Sequence, residues 1–182
     1  MNMEKNVYIQ RILPIILIVG ILMLNIQTCV ASNSHILTTK GAYTIMQDLS
    51  YWIKAEDREL KFIGNCELPN GEGGQEYLVT SGRLKILFTC TSSGYPVLIT
   101  AVFDPIKGFS TECAELGYDI ICSIDGGEPE HSMIREVIKQ NIYEYIAESK
   151  VGRIYITRTK HTYYVRGRTL DNGCRAVAIF AD

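Results

Sequence analysis

The chain has 182 residues, 47% of them apolar and 21% charged, with a formal net charge of −2. That composition suits a globular core and excludes a low-complexity, fibrous or disordered chain. The near-zero total conceals an asymmetry. Ser32 to Ser149 holds nine Lys/Arg against seventeen Asp/Glu, whereas Lys150 to Asp182 holds seven Lys/Arg against two Asp. An acidic body with a basic end suits either an internal electrostatic match or a basic face for an anionic partner.

Lys5 and Arg11 precede an uncharged run from Ile12 to Leu24. As a helix at ~1.5 Å per residue it spans roughly 20 Å, short of a ~30 Å bilayer core. Cys29-Val30-Ala31 then supplies the small side chains of a signal-peptidase site. This three-part layout predicts a signal peptide over residues 1–31, cleaved after Ala31, with cleavage after Ser32 as the near alternative. The expectation is a secreted domain over 32–182 that keeps no stable membrane anchor. An uncleaved anchor and a lipoprotein signal at Cys29 rank behind it.

Ala42 to Asp57 carries Ile45, Leu49, Trp52 and Ile53 at helical spacing and reads as one amphipathic helix. Leu60 to Cys66 reads as a short strand, and Pro69 to Gly74 as a loop. Strands follow over Glu76 to Thr80, Leu84 to Cys90 and Pro96 to Asp104, with turns at Gly82 and Ser92-Ser93-Gly94. Tyr118 to Ile124 is an apolar run, broken by Asp125-Gly126-Gly127-Glu128-Pro129. The clearest helix covers His131 to Ser149, with a stripe of Met133, Ile134, Val137, Ile138, Ile142, Tyr145 and Ile146, Ser132 as cap and Gly152 at the exit. Strands over Arg153 to Arg158, Thr162 to Arg168 and Cys174 to Phe180 close the chain, the last after a turn at Asp171-Asn172-Gly173.

The predicted fold class is therefore α+β: helix packed on an antiparallel sheet. Its two halves, 36–108 and 113–182, share the order helix then meander, an echo that a decayed duplication would leave but that any α+β meander also gives.

In the basic end, alternation puts Thr162, Tyr164, Arg166 and Arg168 on one face of their strand, with Tyr155 and Thr157 sharing a face of its neighbour. Arginine with exposed aromatics is the composition that binds phosphate and stacks bases. The competing reading is a solvated sheet face whose arginines answer the acidic body. Of the histidines, His35 lies near the mature N-terminus, His131 at a helix start and His161 at a hairpin turn. General acid–base catalysis by His161 requires a carboxylate, and the last strands offer only Asp171 and Asp182. Glu112, Glu115, Asp119 or Asp125 would have to supply it from elsewhere. No phosphate loop, nucleophile elbow or zinc spacing occurs, and no metal or cofactor is expected.

Export predicts that Cys66, Cys90, Cys113, Cys122 and Cys174 oxidise where geometry allows. A bridge from Cys122 to Cys174 would stabilise by ~4 kcal/mol in the chain-entropy picture. Cys66 with Cys90 would tie the first half and leave Cys113 spare, while Cys113 with Cys122 is the local rival.

From Tyr118 to Asp182 the chain carries Tyr118 and Cys122, one helix, Tyr-rich antiparallel strands and the late Cys174. This order resembles the small secreted ribonuclease-like effector candidates of powdery-mildew fungi. The resemblance implies a fold similar to guanyl-specific ribonucleases, one helix on an antiparallel sheet with a disulfide from a Tyr-x-Cys to a late cysteine. Here three residues, not one, separate Tyr118 from Cys122. Of the implied catalytic set, Arg158, Arg166 and His161 are present and the glutamate is not. The resemblance thus implies a non-catalytic scaffold that binds host RNA or a host protein, with Arg158, Arg166, Arg168, Tyr155 and Tyr164 on the RNA. The rivals are an active secreted ribonuclease using His161, and a periplasmic or surface binding protein with no nucleic-acid role.

Overall fold

The computed structural model describes residues 36–103, 110–126, 130–170 and 173–181. The expected signal peptide, His35, and the Asp104-Pro105 and Asp171-Asn172 turn residues lie outside them. The elements in chain order are α1 (Ala42–Asp48), a single 3-10 turn (Ala55–Asp57), β1 (Lys61–Glu67), β2 (Gly73–Ser81), β3 (Leu84–Thr91), β4 (Pro96–Phe103), α2 (Ser110–Ile124), α3 (Ser132–Ala147), β5 (Val151–Ile156), β6 (His161–Thr169) and β7 (Arg175–Ala181). The class is α+β, as expected.

One antiparallel sheet holds all seven strands in the order β1-β2-β3-β4-β7-β6-β5. The last strands of the two halves meet at its centre, where Leu98 pairs with Phe180 and Phe103 with Arg175. Every residue of β4 is buried. Such a strand reads as an unbroken apolar run because both of its faces are covered. The β2–β3 hairpin closes on Gly82 at φ 56°, a backbone region open to glycine at little steric cost.

The helices pack on one face of the sheet. Contacts place α2 against β4 and β7 at the centre and α3 against β6 and β5, with α1 reaching α2. One core joins both halves: Ile45, Met46, Phe88 and Ile99 belong to the same buried cluster as Ile120, Ile142, Val165 and Val177. Among the described residues, no helix is long and apolar enough to cross a membrane.

Three helix expectations need correction. First, α1 stops at Asp48 and not at Asp57. Leu49 already leaves helical geometry, and Ile53 turns into the core while the Lys54 N–H goes to Ser81 Oγ at 3.2 Å. Second, α2 is a fifteen-residue helix where only an apolar run was read. Third, the stripe on α3 is narrower than predicted. Ile138, Ile142 and Ile146 are buried, but Met133 and Val137 are 74% and 60% exposed. His131 holds the cap position in place of Ser132, with no side-chain cap bond. Beyond the helix, Ser149 adopts the positive φ expected near the exit, and Gly152 lies inside β5.

Candidate functional site

The residues singled out in the basic end fall into two groups on opposite faces. Ile154, Ile156, Tyr163 and Val165 belong to the core under the helices. Strand alternation therefore turns Tyr155, Thr162, Tyr164, Arg166 and Arg168 to the other face. The register aligns them: Tyr155 opposes Thr162, Arg153 opposes Tyr164, Arg166 opposes Ala178 and Arg168 opposes Ala176. Of the five residues expected on the RNA, Tyr155, Tyr164, Arg166 and Arg168 lie on the face away from the helices, whereas Arg158 sits beside Asp125.

Tyr164 is the pivot of that face. Its ring lies parallel to Phe180, 5.4 Å between centroids and 9° between planes. The Arg153 guanidinium sits 5.0 Å from the same ring and its Nε donates to Tyr164 Oη at 2.9 Å. Arg153 escaped the sequence reading, although it is two residues from Tyr155 and so shares its face. Tyr155 is 51% exposed. Among the described residues, Arg166 Nη1 is buried with no hydrogen-bond partner, so this guanidinium has a donor unmet.

The second group gathers where α2 ends. Asp125 follows Ile124 directly, and its carboxylate is 1% exposed. It accepts from Tyr163 Oη at 2.7 Å and Thr159 Oγ1 at 2.5 Å, and contacts His161 Nδ1 at 2.6 Å. Arg158 Nη2 lies 3.7 Å from the same carboxylate and donates to the Asp125 carbonyl at 3.3 Å. Asp125 is thus the carboxylate that His161 needed. With Nδ1 committed to Asp125, Nε2 is the imidazole nitrogen left to exchange a proton. Burial, and then Asp125, push the Tyr163 phenol well above its ordinary range, so Tyr163 stays a donor to the carboxylate.

Glu130 straps the same hairpin from the other side. It accepts from Thr157 Oγ1 at 2.9 Å and from the Arg158 N–H at 3.0 Å, while its own N–H donates to Tyr118 Oη at 2.8 Å. The Arg158 N–H, followed by Thr157, holds the Glu130 carboxyl below the usual carboxylate range. A depressed carboxyl stabilises the fold above its unfolded pKa, and that stability is lost as pH falls through the folded value. Glu130→Gln is therefore expected to flatten the loss of stability below about pH 4.3. Urea midpoints across that range check it, and parallel acid limbs in both proteins would count against the coupling.

His161 and Arg158 share the Asp125 cluster; Arg166 does not join them. It is five residues along β6 from His161, on the other face and roughly 17 Å away at the rise of a strand. The predicted trio of His161, Arg158 and Arg166 on one phosphate is thus divided. Among the described residues, no group of three or more His, Cys, Asp or Glu side chains is placed to hold a metal ion.

Among the described residues no disulfide joins Cys66, Cys90, Cys113, Cys122 or Cys174, so neither expected bridge is present. Cys66 pairs with Gly74 and Cys90 with Gln75, so β2 lies between them and their side chains leave opposite faces. Two strand spacings make roughly 10 Å, beyond the ~7 Å that a disulfide spans. For the second pair, Cys122 and Cys174 are not bridged. The local rival fails on geometry, since Cys122 stands nine residues along α2 from Cys113, ~13 Å at the rise of a helix. Burial, and then Glu76, raise the Cys66 thiol to about 11, and burial, and then Cys66, push Cys90 to about 12.

The chain matches no protein-family profile, no curated protein and no solved structure.

Proposed function

We propose that the chain is a secreted, non-catalytic, ribonuclease-like effector that binds host RNA on the helix-free face of β5 and β6. The observation that carries this reading is Tyr164, fixed between Phe180 and Arg153, beside exposed Tyr155 and the under-satisfied guanidinium of Arg166. Aromatic rings take bases by stacking without regard to sequence, and arginines follow the backbone. A preformed Arg153–Tyr164–Phe180 stack costs little ordering when a base arrives. The basic excess from Lys150 onward supplies the charge, and the signal-like N-terminal run supports export.

The test is fluorescence anisotropy with a labelled single-stranded RNA. Three phosphate contacts, from Arg153, Arg166 and Arg168, give a slope of about −2 in log affinity against log salt. Tyr155→Ala is expected to weaken binding about tenfold, the lower part of the range for one stacked base. A salt-independent signal, or Tyr155→Ala and Arg166→Ala both binding like the parent, would overturn the RNA reading. Retrieval of one host protein through the same face would turn it toward the protein partner.

A second reading, an active secreted ribonuclease, is favoured by the His161–Asp125 contact at 2.6 Å. Transesterification by the RNA 2′-hydroxyl needs no protein nucleophile. A proton acceptor such as His161 Nε2, with Arg158 nearby for the phosphate, supplies part of what it requires. The carboxylate of Glu130, on the same hairpin, is occupied by Thr157 and Arg158. RNA cleavage by the parent that disappears in His161→Ala would establish this reading; cleavage that survives would remove His161 from it.

A further inference from the structure

Away from both groups, a cleft of about 350 Å³ opens where the turn after α1 faces α2. Its walls include Lys40, Asp48, Tyr51, Trp52, Asp119 and Ser123. Two carboxylates face it and their situations differ. Asp48 is answered: Lys40 Nζ reaches its Oδ2 at 2.9 Å and donates also to the Ser123 carbonyl at 2.6 Å, while Ser123 Oγ donates to Asp48 at 3.1 Å. Asp119 is not. It accepts from the neutral Trp52 indole N–H at 2.7 Å, and no ion pair reaches it among the described residues. Burial raises its carboxyl above the ordinary range, with the N–H of Trp52 opposing that shift. Lys139 and Arg135 act on it only at longer range, with Glu115 against them.

The aromatic groups at this carboxylate point to what would answer it. Tyr51 is 86% exposed and meets Trp52 edge to face, 5.2 Å between centroids. On its other side Trp52 rests on Phe103 at 6.0 Å, which fixes the indole. An unpaired carboxylate beside two aromatic rings is the chemistry that holds an organic cation, by charge on one side and ring quadrupoles on the other. An anion would meet two carboxylates and a lysine already spent on Asp48.

We propose that this cleft binds a small organic cation, an amine or a guanidinium compound, through Asp119 with Tyr51 and Trp52 against its apolar stem. The proposal is independent of RNA binding, because none of its residues belongs to β5 or β6.

Trp52 is the single tryptophan of the chain, so its fluorescence reports the cleft directly. The full chain is titrated with n-butylammonium chloride and, separately, methylguanidinium chloride, against sodium chloride at equal ionic strength. A saturable change with at least one of the two, complete by roughly 10 mM, is the expected result; which of them binds more tightly identifies the cation. Asp119→Asn retains an acceptor for the indole N–H and is expected to weaken binding about tenfold. Tyr51→Ala, at an exposed position, is expected to weaken it about threefold. A response no different from sodium chloride, or Asp119→Asn binding as tightly as the parent, overturns the proposal. Should Asp119→Asn fail to fold, Tyr51→Ala decides, and unchanged affinity there overturns it equally.

Discussion

Asp125→Ala is expected to lower the unfolding free energy by about 2–3 kcal/mol, the cost of leaving hydroxyl donors at a buried carboxylate without their acceptor. The figure follows from what the carboxylate satisfies. Tyr163 Oη, Thr159 Oγ1 and His161 Nδ1 all lie within 2.7 Å of it. Alanine leaves the buried Tyr163 hydroxyl and the Thr159 hydroxyl without this acceptor, and each unmet donor adds its own desolvation cost. It also cuts the β5–β6 turn loose from the end of α2. Asp125→Asn keeps one carbonyl oxygen but presents an NH₂ group to a site full of donors, so a smaller loss of the same sign is expected. Urea unfolding followed by far-UV circular dichroism measures both. A loss under about 1 kcal/mol for the alanine variant would mean that the turn is held mainly by Glu130. The same variants bear on function, since His161 without Asp125 loses the contact that fixes its ring.

Gly167→Ala is expected to cost about 3 kcal/mol or more, at the upper end for overpacking, although it adds a single methyl group. Gly167 lies on the helix side of β6, and a Cβ there would run into main-chain atoms of Tyr145 and Ile146 on α3. Main chain cannot swing aside, so the whole helix must lift from the sheet. Ile142 and Ile146, both fully buried, would lift with it. Gly152 supplies the control. The nearest atoms to a Cβ at that position belong to the Tyr145 side chain, which can rotate away at the cost of a long hydrogen bond to the Arg153 carbonyl, 3.4 Å. Gly152→Ala is therefore expected to cost about 1 kcal/mol. Thermal and urea unfolding of both variants check the order. Equal losses would mean that α3 yields more easily than its backbone contact suggests.

The strands were legible because they are short apolar runs bounded by turns that carry Gly, Ser and Asn, and β5 and β6 alternate besides. That alternation put Thr162, Tyr164, Arg166 and Arg168 on one face of their strand; that Tyr155 shares it depends on the β5–β6 register. The helix α2 was missed although its outward Glu112, Glu115, Asp119 and Cys122 recur at helical spacing opposite the buried Cys113, Leu116, Ile120 and Ile124. Its polar first turns read apart from the apolar run that follows them. In α1 the spacing of Ile45, Leu49 and Ile53 was right and all three are buried, yet a turn following a short helix delivers the last of them as well as a long helix would. The partner of His161 lies 36 residues away. Its identity depends on where α2 ends, and four carboxylates were equal candidates until that end was known. The cysteine pairs failed for a related reason. Whether two thiols can meet depends on the face and register of strands that sequence spacing does not fix.

The position of β7 has a consequence for how the chain assembles. The β1–β4 meander and the β5–β6 hairpin each form from neighbouring segments, and among the described strands the hydrogen-bonded link between them is β7, which pairs with β4 on one side and β6 on the other. That strand comes after all the others in chain order. During synthesis two partial sheets must therefore wait, each with a naked edge, until the last of the seven strands emerges and zips them together. The rate-limiting event in refolding should be this long-range closure, not the formation of any hairpin.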